Sequence, residues 1–334
     1  MSGIKGIWNE VKTARARRPF SCLGLLALLC LPAAPASAQN TRSWVSGVGT
    51  DAKPCSRTAP CLTFTGAIAK TNAGGEINCL DSGSFGGFNI ATSLSIICEG
   101  VVGGVLVTGG DAIIINAGAA DVVVLRGLDI EGSGAALHGV NFVAGAALHV
   151  ENCRIRDFSA IFGWGIQFSP GAAAELYVTD TTISHNGLPA DGGGIRILAT
   201  AGTTSKVVIN QSNVQNNTTG IKADGVNSGA GGVISVTIRD TASVGNTQNG
   251  IVGTTNAGGS VAVIMVDRSA ASHNAAGFGI IADGPKTFIT FGASSIAGNA
   301  NGVGVCNGGT LLSWGTNQIY GKSVDGTPTL IGLK

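Results

Sequence analysis

Leu148-His149-Val150-Glu151-Asn152-Cys153-Arg154-Ile155 and Leu176-Tyr177-Val178-Thr179-Asp180-Thr181-Thr182-Ile183 carry the same apolar steps 28 residues apart. Each reads apolar, any, apolar, four of any kind, apolar. Upstream the pattern recurs as Val123-x-Leu125 then Ile130. Downstream it recurs as Val207-x-Ile209 then Val214, Ile264-x-Val266 then Ala271, and Ile289-x-Phe291 then Ile296. Val236-x-Ile238 follows it with one extra residue before Val244. A second anchor trails each unit: Gly139-Val140, Gly165-Ile166, Gly194-Ile195, Gly220-Ile221, Gly250-Ile251, Gly279-Ile280 and Gly302-Val303. The mean period is roughly 28 residues, which marks a repeat architecture.

Steps of period two are strands, because alternate side chains face opposite ways. Three short strands, parted by Gly and Asn turns, close one coil. Stacked coils make an all-β solenoid with one face of every strand inward. Ile155, Val178, Ile183, Val207 and Ile209 are therefore expected in a stacked interior. The turn after the third apolar step carries Asn186, Asn217, Asn246, Asn274 and Asn299. Asn tolerates the left-handed backbone and bonds locally, so these residues are expected to stack at one corner. Helical repeats would need amphipathic stretches at period 3.6, and none is present. A hexapeptide helix would need coils of about 18 residues, and the calcium-binding nonapeptide is absent.

Composition narrows the classes further. Gly is 53 of 334 residues, yet with 9 Pro and no G-X-Y period the chain is not collagen. Hydrophobic residues at 44% exclude a disordered chain. A net charge of +1 lacks the basic footprint of a nucleic-acid binder.

Residues 1–38 read as a signal peptide. Lys5, Lys12, Arg15, Arg17 and Arg18 form its basic start, Phe20 to Leu31 its apolar stretch, and Ala36-Ser37-Ala38 its cleavage site. The apolar stretch falls short of the ~20 residues that span a bilayer. Arg17-Arg18-Pro19-Phe20 partly matches a twin-arginine signal, so the export route stays open. The leader holds five of the 20 Lys+Arg and one of the 19 Asp+Glu, leaving 15 basic and 18 acidic residues, a net of −3. No later run is long and apolar enough to span a membrane. The expected location is secreted or periplasmic, with cleavage after Ala38.

Thr63-Phe64-Thr65-Gly66-Ala67-Ile68, then Gly74-Gly75-Glu76-Ile77, then the coils, resemble the right-handed parallel β-helix, or pectin-lyase-like, superfamily. The resemblance covers about residues 50 to 320. It implies a single-stranded right-handed parallel β-helix with a short N-terminal capping helix. The expected division is an N-terminal segment with the capping helix over 39–74, coils over 75–320 and a tail over 321–334. One such fold hosts unrelated activities.

Six cysteines follow the leader: Cys55, Cys61, Cys79, Cys98, Cys153 and Cys306. Export permits disulfides. Cys55 and Cys61 flank a short Pro-bearing loop and are expected to pair. Cys79 and Cys98, in Ile77-x-Cys79 and Ile96-x-Cys98, suit neighbouring short coils and are expected to pair also. Other pairings among these four stay open. Cys153 and Cys306 lie about five coils apart, on the order of 24 Å at ~4.8 Å per coil, too far to bridge. A zinc site is the rival for the first four, but C-x5-C without a nearby His is poor ligand spacing.

Coil alignment turns spacing into proximity. Asp129 falls on Arg154, Glu131 on Arg156, and Asp157 on His185, all flanking inward Ile residues. One reading is an acid/base pair of Asp157 and His185 with Arg154 holding an acidic sugar. The plainer reading is a ladder of exposed ion pairs. After the Gly-Ile anchors, Asn141, Gln167, Arg196 and Lys222 form an outward row, ended by Val252 and Ile281. With Arg156 they are the candidate ligand-binding residues for an acidic polysaccharide. His185 and His273 both sit in Ser-His-Asn corners, too far apart to share a metal ion. His138 lies beside a turn and His149 in a strand without an evident partner. The resemblance implies catalytic patterns that this chain lacks. Leu137-His138-Gly139 misses the first glycine of Gly-His-Gly, and Arg196-Ile197-Leu198 misses the lysine of Arg-Ile-Lys. No motif asks for a metal or another cofactor.

These observations favour an exported, non-enzymatic binding or structural module whose partner is a polysaccharide or cell-surface glycan. The alternative is a polysaccharide lyase or glycoside hydrolase with an atypical site. N-terminal sequencing of the exported chain is expected to read Gln39 first; a chain beginning at Met1 in the cell membrane would contradict the leader.

Overall fold

In the computed structural model, residues 39–188 and 191–332 are described. The leader and its cleavage site lie outside them. Parallel strand pairing joins every coil to the next. Asn40–Val45 and Thr71–Cys79 open a 12-stranded sheet that runs through Leu148-bearing Ala147–Glu151 and Ala174–Thr179 to Thr329–Leu330. The other two strands of each coil belong to an 18-stranded sheet. The result is an all-β solenoid of about nine turns.

Register follows the sequence pattern. Leu148, Val150 and Ile155 pair with Leu176, Val178 and Ile183, and these with Val207, Ile209 and Val214. Ile155, Val178, Ile183, Val207 and Ile209 are all buried in one apolar interior. Each Gly of the second anchor faces this interior where the coil bends. A Cβ on Gly194 would lie 2.4 Å from Val214 and one on Gly250 2.6 Å from Asn274. No larger residue fits there.

Pairing extends beyond the expected boundaries at both ends. Asn40–Val45 already pairs with Thr71–Cys79, and Gln318–Val324 and Thr329–Leu330 pair beyond residue 320. The helix Phe64–Ile68 starts at Thr63, whose hydroxyl accepts from the Gly66 N–H at 2.9 Å. Phe64 packs on Phe85 and Phe88, ring centroids 5.1 and 5.0 Å away. Disulfides join Cys55 to Cys61 and Cys79 to Cys98, while Cys153 and Cys306 are unpaired. No helix among the described residues is long and apolar enough to cross a membrane.

The corner asparagines stack as expected. The Asn186, Asn217, Asn246 and Asn274 N–H groups each donate to the side-chain oxygen of the next Asn, at 3.0, 3.0, 3.1 and 2.9 Å. The left-handed residue, however, is the one before each Asn: His185, Asn216, Gly245, His273 and Gly298 have φ of 58°, 55°, 66°, 58° and 70°, and Asp157, at 65°, holds the same place before Phe158. A second stack follows another left-handed corner. Cys153, Thr181, Ser212, Thr241 and Ser269 each donate their N–H to the next hydroxyl, of Thr181, Ser212, Thr241, Ser269 and Ser294. Cys153 heads this stack and its Sγ bonds the Glu151 carbonyl at 3.3 Å. Burial pushes its thiol up to about 11, so it is inert at neutral pH.

Chemical denaturation is expected to separate three positions. Ile183→Ala should cost ~2–5 kcal/mol, the range for a truncated core residue. Asn217→Ala should cost roughly 2–4 kcal/mol, because buried Asn186 and the buried Ile183 carbonyl on the preceding coil both lose bonds. Arg154→Ala, on an exposed side chain, should stay within about 0.5 kcal/mol. Equal losses at Ile183 and Arg154 would show the inward–outward register to be wrong.

Candidate functional site

The register places Arg154 beside Asp129 and Arg156 beside Glu131, as the coil alignment predicts. The ion pairs differ from the alignment. Asp129 turns to Arg156, at 3.1 Å, and not to Arg154. Arg156 also meets Glu131 at 2.7 Å and Asp157 at 3.4 Å. It adjoins the corner, so one guanidinium spans three carboxylates. This occupies Arg156, expected as a ligand-binding residue, within the protein. Arg154 is exposed, and among the described residues it has no ion-pair partner.

Asp157 and His185 are equivalent residues of successive corners. Both are left-handed, a conformation that Asp, Asn and His enter more readily than most residues. The Asp157 carboxylate faces Arg156, and no hydrogen bond joins it to His185 among the described residues. Backbone geometry therefore accounts for the residue types at these two positions.

The outward row forms in strict register: Asn141 pairs with Gln167, Gln167 with Arg196, and Arg196 with Lys222, then Val252 and Ile281. The row is half-buried and internally bonded. Arg196 donates to one Asp224 oxygen from Nε at 2.9 Å and Nη2 at 2.6 Å. Lys222 lies 3.4 Å from the same oxygen, and the Asp224 side chain is fully buried. Burial alone would push the Asp224 carboxyl up. Lys222, Asn227 and Arg196 outweigh it and hold the group below the usual carboxylate range. Trp164 is buried outside the apolar interior, with the Arg196 guanidinium 6.0 Å from its ring centroid. The Trp164 Nε1 donor and the Gln167 Oε1 acceptor are buried without a hydrogen-bond partner.

A hydrogen-bonded carboxylate–His pair does form, at positions the coil alignment missed. Asp111 lies 2.7 Å from His138 Nδ1, and its other oxygen accepts from Asn141 Nδ2 at 2.7 Å. His138 neighbours Trp164 in register, so the pair adjoins the row. Burial raises the Asp111 carboxyl, but the bonds from His138 and Asn141 outweigh it and lower it. The signal was present in the sequence. Asp111 precedes His138 by 27 residues, one coil, but it lies upstream of Val123, where the apolar steps lose their regular spacing.

This arrangement presents amide and cationic donors one coil apart, about 4.8 Å, along the solenoid axis. It suits the oxygen atoms of an extended polymer. His138, oriented by a carboxylate beside the row, has the chemistry of a general base.

No protein-family model matches the chain, and no curated protein matches it in sequence. Two solved structures resemble it. Pectate lyase Pel9A has 13% identity and a TM-score of 0.45, over 89% of this chain and 78% of that one. A rhamnogalacturonan lyase has 13% identity and a TM-score of 0.49, over 77% and 76%. Strand pairing makes the architecture a parallel β-helix, as the sequence repeat predicts.

Asp224 gives a pH test. Its pKa is lowered in the folded state, so its stabilising contribution is complete above the unfolded value near ~3.9. That contribution is lost as pH falls through the lower folded value. The stability of the unaltered chain should drop between pH 5 and pH 3 more than that of Asp224→Asn. Equal drops in denaturant titrations would show that the Arg196–Lys222–Asp224 cluster is not linked to folding.

Proposed function

We propose that the chain is an exported β-helix module that binds an acidic glycan along Asn141, Gln167, Arg196 and Lys222, without cleaving it. The observation that carries this reading is the row itself: two cations and two amides on successive coils. Asp224 fixes both cations before a ligand arrives, and groups ordered beforehand lose less entropy on binding. Lys222 also lies 4.0 Å from Asp191, the loosest contact of the cluster, and an anionic partner takes the place of that contact. The two disulfides fit export to an oxidising compartment.

A second reading, cleavage of the bound glycan, is favoured by the Asp111–His138 pair beside the row. One experiment separates the two. The full chain is run through gels containing acidic or neutral polysaccharides, and the same mixtures are followed for reducing ends and for ultraviolet absorbance of unsaturated products. Acidic polysaccharide should retard the protein without product. Lys222→Gln should weaken the retardation about tenfold, the effect of losing one charge-assisted contact. Product that disappears in His138→Gln would establish cleavage instead. Retardation unchanged by Lys222→Gln would remove the row from the reading.

A further inference from the structure

A concave surface lies at the N-terminal coils, on the outer face of the 12-stranded sheet. It is a cleft of about 570 Å³ lined by Arg42, Trp44, Arg57, Asn78, Glu99 and Arg126, with Glu76 and Ile97 among the remaining lining residues. Its size falls within the ~300–1,000 Å³ of small-ligand sites. The floor comes from parallel register: Trp44 beside Asn78, Asn78 beside Ile97, and Ile97 beside Arg126.

Three guanidinium groups face this cleft, and two are already engaged. Arg42 bonds Glu76 and Asn78, both at 2.6 Å, and its guanidinium lies over Trp44, 5.7 Å from the ring centroid. Arg126 pairs with Glu151 and, at 3.5 Å, with Glu99. Arg57 has neither a hydrogen bond nor an ion pair among the described residues, and it is exposed.

The chain invests considerable structure in holding Arg57 there. Arg57 sits in the turn Ser56–Ala59, closed by an Ala59 N–H to Ser56 carbonyl bond of 3.1 Å. The Cys55–Cys61 disulfide closes the loop around that turn. Backbone bonds from Trp44 N–H to the Cys55 carbonyl, 2.8 Å, and from Cys61 N–H to the Trp44 carbonyl, 3.0 Å, tie both ends to the floor strand. A pinned turn that presents an unpartnered guanidinium, beside an indole and several acceptors, is a prepared anion site. A planar guanidinium suits oxyanions, the indole suits the C–H face of a ring, and Glu76, Glu99 and Asn78 can accept from hydroxyl groups.

We propose that the cleft between the Cys55–Cys61 loop and the outer sheet face binds an anionic sugar ring, with Arg57 receiving its carboxylate or sulfate. This site is separate from the Asn141–Lys222 row and does not depend on it.

The test is a tryptophan-fluorescence titration of the full chain with glucuronate, glucose 6-sulfate and glucose. At least one anionic sugar should bind, and the one that binds tighter identifies the anion. Glucose should bind at least about tenfold more weakly. Arg57→Gln should weaken anion binding by about tenfold or more, since a charge-assisted bond is lost; because the side chain is exposed and makes no hydrogen bond or ion pair among the described residues, the variant should fold, which its unfolding midpoint checks. Trp44→Phe should remove most of the fluorescence response. Equal binding of glucose and the anions, no binding of either anion, or indifference to Arg57→Gln would each overturn the proposal.

Discussion

A coil that closes on itself must bury the backbone of its corners, and buried N–H groups need partners. That requirement organises this molecule. Between strands, parallel pairing supplies the bonds. At the corners the chain turns through a left-handed residue, and its following N–H cannot reach a neighbouring strand. Two side-chain stacks supply the acceptor instead. Asn186 through Asn299 serve one corner, and Cys153 through Ser294 serve the other. Each side chain serves the coil before it, so the bonding is cooperative along the axis, as nearest-neighbour repeats require.

The same requirement explains residues that otherwise look chemical. Asp157, His185 and His273 occupy the left-handed position that Asn216 fills in another coil. A carboxylate and an imidazole one coil apart suggest acid/base chemistry when only spacing is known. Backbone conformation supplies a simpler cause. Cys153 likewise takes the place that Thr181 and Ser212 hold below it, with its sulfur bonding the carbonyl two residues back.

What was legible in the sequence follows from this physics. Inward apolar steps are read easily, because Ile155, Ile183 and Val214 repeat one chemical type at one spacing. The Asn stack was legible for the same reason. The second stack was not, since its members change identity among Cys, Thr and Ser while keeping one role. The outward row was legible in position, but its electrostatics were not. Asp224 lies only two residues beyond Lys222, and nothing in the spacing reveals a fully buried carboxylate that takes hydrogen bonds from Arg196. Asp111 and His138 were missed because the early coils are shorter and less regular, so the arithmetic that aligned later coils had no anchor there.

Repetition itself separates scaffold from site. Any side chain required by the coil recurs at its stack position, as Asn does from 186 to 299. Residues with a specific task must depart from the repeat. Trp164 departs: its register neighbours on the next coils are Gly193 and Thr219, which are small. Phe158 departs where the Asn stack begins, its N–H donating to Asn186 in place of another Asn. The Cys55–Cys61 loop departs most, because it belongs to no coil and holds Arg57 over the sheet. Trp164 adjoins both the Asp111–His138 pair and the Arg196–Lys222 cluster, while the loop walls the Trp44 cleft. The departures thus fall in two places on the outer surface, and those two places are where an otherwise uniform solenoid acquires recognisable chemistry.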